Sequence, residues 1–531
     1  LLGSPIGDAG FCTAYIDKFV AERVDHTLAA LQGVNDPQVF HHILRLSVSF
    51  CRVVHLIRTV PPSCSEKALQ SFDSHVRKSF SRGVGVLFDT DAAWSQLSLP
   101  FSHGGAGLRS AAAHASSAYI ASVSRAAELD GWTASSTFGW PEAVKDFCSR
   151  ANISPKDFEL LACLKQWRLS KLIDDFSFST LLAGASDWNR ARLLSVSSPG
   201  AGAWLGVVPS SALRQTLDPK EFSTLLRFWT GQSLFTESTD CPMCDTHMEL
   251  FGFHALTCRS GGGLGVRHNA LRDAFFYFVQ RCGIVGVGRE TAYLLSGSAD
   301  RPADVLIPPS CLVIPGLIPS KPVCLDFAVT NPQQSLRLSR ASVSAGAAAA
   351  DYESKVKLPR YLDECRENDL GFVPMVVETF GAWGLLLSRS LTKSPELVPQ
   401  PKPSNRSSSA NTSARLSVSL SSASMPGSSS SSSHQRLKIL TTLSPLSWLP
   451  QITVTMMPSR PPPRALHLKT IPSLSTGFWT MSAWPLEKAR HLLLPLPTPS
   501  YPFLLLITPK RREIRRMGLR HWLLGGILLV F

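Results

Sequence analysis

The sequence predicts a multidomain protein: a mostly α-helical N-terminal region, a short Cys- and His-bearing segment, an α/β domain and a disordered tail. Three observations lead to this prediction. The chain has 531 residues, which is too long for one compact domain. Apolar residues recur at helical spacing through the first part, whereas strand-like apolar runs appear only after residue 300. The composition then changes abruptly near residue 385.

The net charge of +14 belongs to the end of the chain. Residues 385–531 carry 18 Lys and Arg against three Glu and no Asp, a charge of +15, and residues 1–384 carry −1 together with all 12 cysteines. The tail, residues 387–531, is rich in Ser and Pro and contains an unbroken serine run from Ser428 to Ser433. Such a composition cannot bury enough apolar surface to offset chain entropy. We predict that the tail is disordered or translated out of frame.

The start of the chain bears on its location. Leu1 is followed by neither a basic segment nor an apolar segment of the kind a signal peptide needs, so the sequence indicates a fragment of an intracellular, non-secreted protein with reduced cysteines. No apolar run reaches the ~18–20 residues of a membrane span, and no membrane partner is predicted.

Residues 1–180 are predicted as one helical region, and residues 181–235 as a helical connector. Helices are expected over Val39–Val60, Lys67–Phe80 and Ser110–Leu129. The Gly-rich stretch 104–108 lacks the lysine of a phosphate-binding loop, which favours a turn between helices. Asp174 and Asp175 are adjacent in a helical pattern and are predicted to lie on its solvated face.

Residues 236–262 contain four possible zinc ligands. Cys241 and Cys244 are spaced to bind one ion from a tight turn, and His254 and Cys258 are spaced to lie on one face of a helical turn. Four such ligands fill a tetrahedral Zn²⁺ site, so the ion would be structural. The alternatives are a chance spacing of cysteines, or His247 as a competing ligand.

Residues 263–386 place acidic residues on predicted strands. Asp304 enters the first strand, Asp326 interrupts the apolar run Val323–Thr330, and Glu378 ends a third strand. A helix from about Ala341 carries Lys355 and Lys357, and Pro359 is predicted to kink or end it.

This arrangement allows two interpretations. Two carboxylates beside a lysine are what Mg²⁺-dependent phosphodiester hydrolysis requires, since Asp oxygens hold Mg²⁺ and the lysine stabilises charge. Alternatively, Asp326 forms a structural ion pair with a helix lysine, because an isolated buried carboxylate is costly.

At this point the residues resemble a family. The stretch from Cys241 to Gly384 is similar to the C-terminal part of non-LTR retrotransposon polyproteins that carry a restriction-like endonuclease. The similar segments are the Cys-Cys-His-Cys knuckle followed by Arg267-His268, Arg301-Pro-Ala-Asp304-Val, the strand beginning at Asp326, Lys357-x3-Tyr361 with Cys365, and Phe372 to Gly384. Residues 1–175 resemble the reverse-transcriptase tail, through Leu2-Gly3-Ser4-Pro5-Ile6-Gly7 and Leu99-Pro100 with the Gly-rich turn.

The resemblance implies a PD-(D/E)XK nuclease domain over residues 263–386. Asp304 and Asp326 would bind catalytic Mg²⁺, Lys357 or Lys355 would be the catalytic lysine, and Tyr361, Glu290 and Glu378 would be accessory residues. In such elements the nuclease nicks target DNA in the nucleus, and the polymerase extends the new 3′ end along the element RNA. The implied partners are therefore target DNA, retroelement RNA and an upstream polymerase domain that this chain lacks.

The sequence departs from the family pattern at three points. Ala303 replaces the Pro that often precedes the first Asp, two lysines compete for one role, and no Tyr/Phe-x-Asp-Asp hairpin of a polymerase occurs. The leading hypothesis is a metal-dependent DNA endonuclease within a polyprotein fragment. The alternatives are an inert nucleic-acid-binding remnant of a decayed element and a helical scaffold whose zinc knuckle contacts proteins.

Overall fold

Helices form most of the structure, a computed structural model that describes residues 3–88, 90–161, 164–311 and 317–384. The predicted tail, residues 387–531, lies outside the described residues, as do Leu1, Leu2 and the last two residues of the predicted 263–386 domain. The described residues all belong to one compact unit. None of the helices in those ranges combines the length and the apolar character needed to cross a membrane.

Thirteen α-helices are described before residue 235. They are α1 (Ala9–Phe19), α2 (Asp25–Leu31), α3 (Pro37–Ile43), α4 (Phe50–Thr59), α5 (Pro62–Val84), α6 (Asp91–Ser98), α7 (Ala111–Asp130), α8 (Trp140–Ala151), α9 (Pro155–Glu159), α10 (Gln166–Ala183), α11 (Asp187–Val196), α12 (Ala203–Gly206) and α13 (Pro219–Thr230). The three predicted helices are confirmed, although a π-helical turn at Leu44–Val48 divides the first into α3 and α4. Asp36 and Ser110 cap α3 and α7 by accepting hydrogen bonds from backbone N–H groups.

The predicted connector, residues 181–235, is not separate from the helical region. Helix α10 runs across residue 180, and Trp204, Leu226 and Trp229 are buried in the same apolar cluster as Phe72 of α5. Helix α13 has an apolar face that must be covered, and the earlier helices cover it. Residues 3–88, 90–118 and 196–229 therefore contribute to one core.

The Gly-rich stretch is a turn between helices, as predicted, and it lies inside this core. The Gly104 carbonyl accepts hydrogen bonds from Gln96 Nε2 (3.0 Å) and Trp229 Nε1 (2.7 Å). Gly104 has φ of +73°, and a Cβ at Gly105 would collide with the Leu99 carbonyl. Only glycine fits both positions, so the glycines serve packing, not phosphate binding.

The prediction for Asp174 was wrong. Asp174 is buried, forms an ion pair with Arg109 (2.7 Å) and lies 3.3 Å from Nε2 of His114, whose pKa is lowered by burial. The neighbouring Asp175 is half-exposed and pairs with His103 and Lys171. Successive residues on a helix point about 100° apart, so one of two adjacent acids can face a neighbouring helix. Helix α7 supplies His114, and Arg109 lies just before it.

The second region begins with a two-stranded sheet and contains a four-stranded sheet. Its elements are β1 (Thr239–Asp240), β2 (His247–Met248), α14 (Phe253–Thr257), α15 (Gly263–Arg281), β3 (Gly288–Arg289), β4 (Val305–Ile307), β5 (Val323–Thr330), α16 (Ser335–Ala341), α17 (Ala347–Tyr352), α18 (Leu358–Glu367) and β6 (Gly371–Glu378). The larger sheet has the order β3-β4-β5-β6, in which β5 and β6 are parallel and the other pairs are antiparallel.

Helices cover both faces of the larger sheet. Leu325 and Phe327 of β5 pack with Leu271 of α15, whereas Cys324 packs with Cys365 of α18. Alternate residues of a strand point to opposite faces, so Asp326 shares the α18 face with Cys324. The sequence of β5 therefore directs Asp326 towards the helix that follows the lysines.

The two regions are packed against each other. Phe380, just after β6, stacks on Phe228 of α13 at a centroid distance of 4.4 Å and belongs to the helical core. Gln333 Nε2 donates a hydrogen bond to the Trp188 carbonyl (3.0 Å). The type of secondary structure therefore changes near residue 235, but the residues before and after it pack together.

Candidate functional site

The four predicted zinc ligands lie together. One ligand atom from each of Cys241, Cys244, His254 and Cys258 lies within 4.8 Å of all the others. Cys244 Sγ is 3.1 Å from His254 Nε2 and 3.7 Å from Cys258 Sγ, and Cys241 Sγ is 3.8 Å from Cys258 Sγ. Sulfurs bound at about 2.3 Å around a tetrahedral Zn²⁺ ion are about 3.8 Å apart, so this donor set fits such an ion.

The local fold explains how these ligands meet. The hairpin β1–β2 presents Cys241 and Cys244 from its turn, and α14 presents His254, with Cys258 directly after the helix. Hydrogen bonding with Thr246 lowers the pKa of the Cys244 thiol to about 6. His247, the competing ligand, pairs across the hairpin with Asp240 and is not a member of the ligand group.

A second candidate centre is formed by Asp304 and Asp326. Strands β4 and β5 are antiparallel with Val305 opposite Leu325, and one further step of this register places Asp304 across from Asp326. Both carboxylates are buried, and the negative charge of Asp304 raises the pKa of Asp326. Two carboxylates held together in this way are suited to a hard divalent cation such as Mg²⁺.

Two contacts hold the Asp304 carboxylate. His268 Nε2 of α15 lies 3.1 Å from Oδ1, and the Phe327 N–H donates to Oδ2 at 2.6 Å. Burial alone would raise the pKa of Asp304, but the His268 hydrogen bond, the Phe327 N–H and the Lys357 charge hold it below its ordinary value. Asp304 is therefore kept ionised.

Asp326 has the opposite tendency. Lys357 Nζ lies 2.8 Å from each of its carboxylate oxygens. Burial, together with the charge of Asp304, nevertheless raises the pKa of Asp326, and Lys357 lowers it. The resulting pKa is about 6. Each carboxylate therefore has one basic partner, Lys357 for Asp326 and His268 for Asp304, and the contact with Asp304 raises the pKa of His268.

The structure distinguishes the two candidate lysines. Lys357 is only 16% exposed and faces Asp326, whereas Lys355 is 61% exposed and pairs with Asp351 at 2.8 Å. A π-helical turn at Glu353–Lys357 separates α17 from α18 and directs the two lysines differently. Pro359 was predicted to kink or end the helix. It does not end it, because it lies in the first turn of α18, where no backbone N–H is required.

Glu290 lies beside Asp304. Its carboxylate, Asp304 and His268 have ligand atoms within 4.8 Å of one another, and the Glu290 N–H donates to the Asp304 carbonyl (3.0 Å). Arg272 and Arg301 form ion pairs with Glu290. The predicted accessory role of Glu290 is compatible with this position.

Tyr361 and Glu378, the other two predicted accessory residues, differ from each other in where they lie. Tyr361 of α18 is buried against Phe372, and burial raises the pKa of its hydroxyl. Glu378 lies four residues along β6 from Pro374, the partner of Asp326, which is about 13 Å at strand spacing. It accepts a hydrogen bond from the Ala348 N–H at the start of α17. Glu378 is therefore not part of the Asp304–Asp326 centre.

Sequence reasoning assigned no chemical role to His268. The available signal was its position, directly after Arg267 and at the start of an amphipathic helix behind the cysteines. In the structure, Arg267 Nη2 donates to the Leu256 carbonyl (3.1 Å), so this helix is joined to the segment that carries His254 and Cys258. No protein-family model matches this sequence, and no curated protein matches it.

Proposed function

We propose that the chain is the C-terminal part of a non-LTR retrotransposon polyprotein and acts as a divalent-metal-dependent DNA endonuclease of the restriction-like PD-(D/E)XK type. The observation that carries the proposal is the buried Asp304–Asp326 pair with Lys357 Nζ 2.8 Å from Asp326. The four-stranded mixed sheet, with α15 on one face and α18 on the other, supports the proposal.

In this proposal, each residue has a distinct role. Asp304 and Asp326 hold Mg²⁺, which would polarise the phosphate and lower the pKa of a water molecule. Lys357 stabilises negative charge that develops on the phosphate, because it is fixed by its ion pair and nearly buried. His268 and the Phe327 N–H keep Asp304 ionised and oriented.

The Cys241–Cys244–His254–Cys258 group would hold structural Zn²⁺ and form a zinc knuckle that binds nucleic acid. Its four N and S donors leave no open position for a substrate. The partners would be target DNA and retroelement RNA in the nucleus, with polymerisation supplied by an upstream domain that has the palm hairpin missing here.

The test uses the full chain, because Phe380 packs into the helical core and residues 263–386 alone would expose it. Purified protein is incubated with supercoiled plasmid and Mg²⁺, and nicked circles are counted over time. Asp304→Asn and Asp326→Asn should abolish nicking. Asp175→Asn, a half-exposed aspartate outside the centre, is the control and should nick like the parent protein.

Three outcomes are informative. Nicking lost only in the two centre variants supports the endonuclease. Equal background nicking from all proteins ends the nuclease proposal. If DNA binding then persists, the inert nucleic-acid-binding remnant becomes the better description.

A further inference from the structure

The loop between β3 and Leu295 carries the most exposed large aromatic side chain of the described residues. Tyr293 is 88% exposed, more than any other Phe, Tyr or Trp among the exposed large hydrophobic residues of those ranges. An aromatic ring gains nothing for folding when it lies in water. A single exposed ring is common on protein surfaces, so only its surroundings can indicate a role.

The backbone of this loop is held in an unfavourable conformation. Tyr293 has φ of +60° and Glu290 has φ of +51°, both in the left-handed region that non-glycine residues rarely adopt. Such conformations persist only where the surrounding structure enforces them, and they concentrate at functional sites. Two of them within four residues fix the direction in which Tyr293 leaves the surface.

Both ends of the loop are anchored beside the proposed metal centre. At one end, the Glu290 N–H donates to the carbonyl of Asp304 itself (3.0 Å). At the other end, Leu295 is 4% exposed and packs in the cluster that contains Ala303 and Tyr361. Tyr293 therefore belongs to a short loop whose two ends are held against Asp304 and its neighbour Ala303.

Two partly exposed arginines lie near this loop, and each forms an ion pair with a carboxylate. Arg289 directly precedes Glu290, is 44% exposed and pairs with Asp273 at 3.4 Å, and Arg301, which pairs with Glu290 at 3.7 Å, is 56% exposed. Exposed guanidinium groups bind phosphates, and an exposed aromatic face binds bases by stacking. The combination matches nucleic acid and not an apolar protein partner.

We infer that Tyr293 is a DNA-positioning residue that stacks on a base next to the phosphate cleaved at the Asp304–Asp326 centre. Stacking at this point fixes the strand relative to the carboxylates while Arg289 and Arg301 hold neighbouring phosphates. This inference rests on the proposed endonuclease function and identifies how its substrate is held.

The experiment measures binding of a fluorescent duplex DNA by anisotropy, with Ca²⁺ in place of Mg²⁺, and nicking with Mg²⁺, using the full chain. Tyr293→Ala should weaken binding about 10-fold, in line with the loss of one base–aromatic stack, and slow nicking at subsaturating DNA. Tyr293→Trp should bind like the parent protein. Tyr277→Ala removes a 51%-exposed tyrosine from α15 and is the matched control, expected to be unchanged.

The outcomes separate this inference from the proposal on which it rests. If the parent protein nicks DNA and Tyr293→Ala binds and nicks equally well, the inference is overturned and the endonuclease remains. If Tyr293→Trp is as weak as Tyr293→Ala, stacking is also rejected. If the parent protein neither binds nor nicks DNA, the endonuclease proposal fails and the inference fails with it. Thermal unfolding of Tyr293→Ala should match the parent, since the side chain is exposed.

Discussion

Lys357 and Asp326 form a nearly buried ion pair in which Nζ is 2.8 Å from each carboxylate oxygen. The pair joins the last residue of a π-helical turn to the middle of β5, and Asp304 lies on the next strand. As a purely structural ion pair it would neutralise the charge of Asp326. The second carboxylate is what makes it a candidate catalytic centre.

Substitution of the two lysines should give different results. Lys357→Ala should lower the nicking rate by about 100- to 1000-fold, the size of effect seen when one charge-stabilising group is removed from an active site. Lys355→Ala should change it little, because this lysine is exposed and pairs with Asp351. Single-turnover plasmid nicking measures both. Equal losses would reject the assignment of Lys357.

Nicking should depend on pH through Asp326. Burial raises the pKa of Asp326 to about 6, and its protonated form cannot bind a cation fully. The rate should therefore fall as the pH drops through about 6. Protons and Mg²⁺ compete for the same oxygens, so more Mg²⁺ should move the midpoint to lower pH. If the pH midpoint of the nicking rate does not change with Mg²⁺ concentration, this account is contradicted.

Glu378 should make folding stability depend on pH. Burial raises the pKa of Glu378 from 4.5 to about 7, despite hydrogen bonding to the start of α17. A carboxyl that binds its proton more tightly in the folded state stabilises the fold below its unfolded pKa. That contribution is lost as the pH rises from about 4.5 to about 7, by about 3 kcal/mol.

The measurement is the free energy of unfolding in denaturant at pH 5 and pH 8. Glu378→Gln cannot ionise, so the loss of stability between these two values should be smaller in this variant by most of that amount. Identical pH dependence in both proteins would show that Glu378 does not titrate in this range.

Zinc content should follow the four-ligand group. Cys244→Ser and Cys258→Ser should each lose about one Zn²⁺ per chain by atomic absorption and unfold at lower temperature, since a structural zinc site contributes to folding. Cys51→Ser, an exposed cysteine outside the group, should retain the metal. A chelator that leaves the melting curve unchanged would count against a structural ion.

The two adjacent aspartates of α10 should differ strongly in their effect on stability. Asp174→Ala leaves the buried His114 and the partly exposed Arg109 without their shared partner, which should cost about 1–3 kcal/mol. Asp175→Ala removes a half-exposed partner of His103 and Lys171 and should cost at most about 1 kcal/mol. Chemical denaturation of both variants tests the difference, and equal costs would be inconsistent with the burial of Asp174.

Local features of this protein could be predicted from sequence, and relations between distant segments could not. The spacing of Cys241, Cys244, His254 and Cys258 was enough to predict a common ligand group, because short turns fix their separation. The interrupted apolar run identified Asp326 as a buried carboxylate. In contrast, Glu378 was wrongly predicted to lie near Asp304 and Asp326. Its position depends on the parallel register of β5 and β6, and the sequence near Glu378 does not indicate that register.

The choice between Lys355 and Lys357 also required the structure. The helical sequence pattern does not indicate the π-helical turn at Glu353–Lys357, on which Lys355 pairs with Asp351 and Lys357 pairs with Asp326. The burial of Asp174 depends on Arg109 and His114, about 60 residues earlier in the chain. Nothing near Asp174 in the sequence indicates either partner.

The stacking of Phe380 on Phe228 has a consequence for synthesis of the protein. Helix α13, which contains Phe228, leaves the ribosome about 150 residues before Phe380 does, so the helical core lacks one aromatic ring for that interval. The nascent helical region should reach its final resistance to protease only once the strand before Phe380 has emerged and docked.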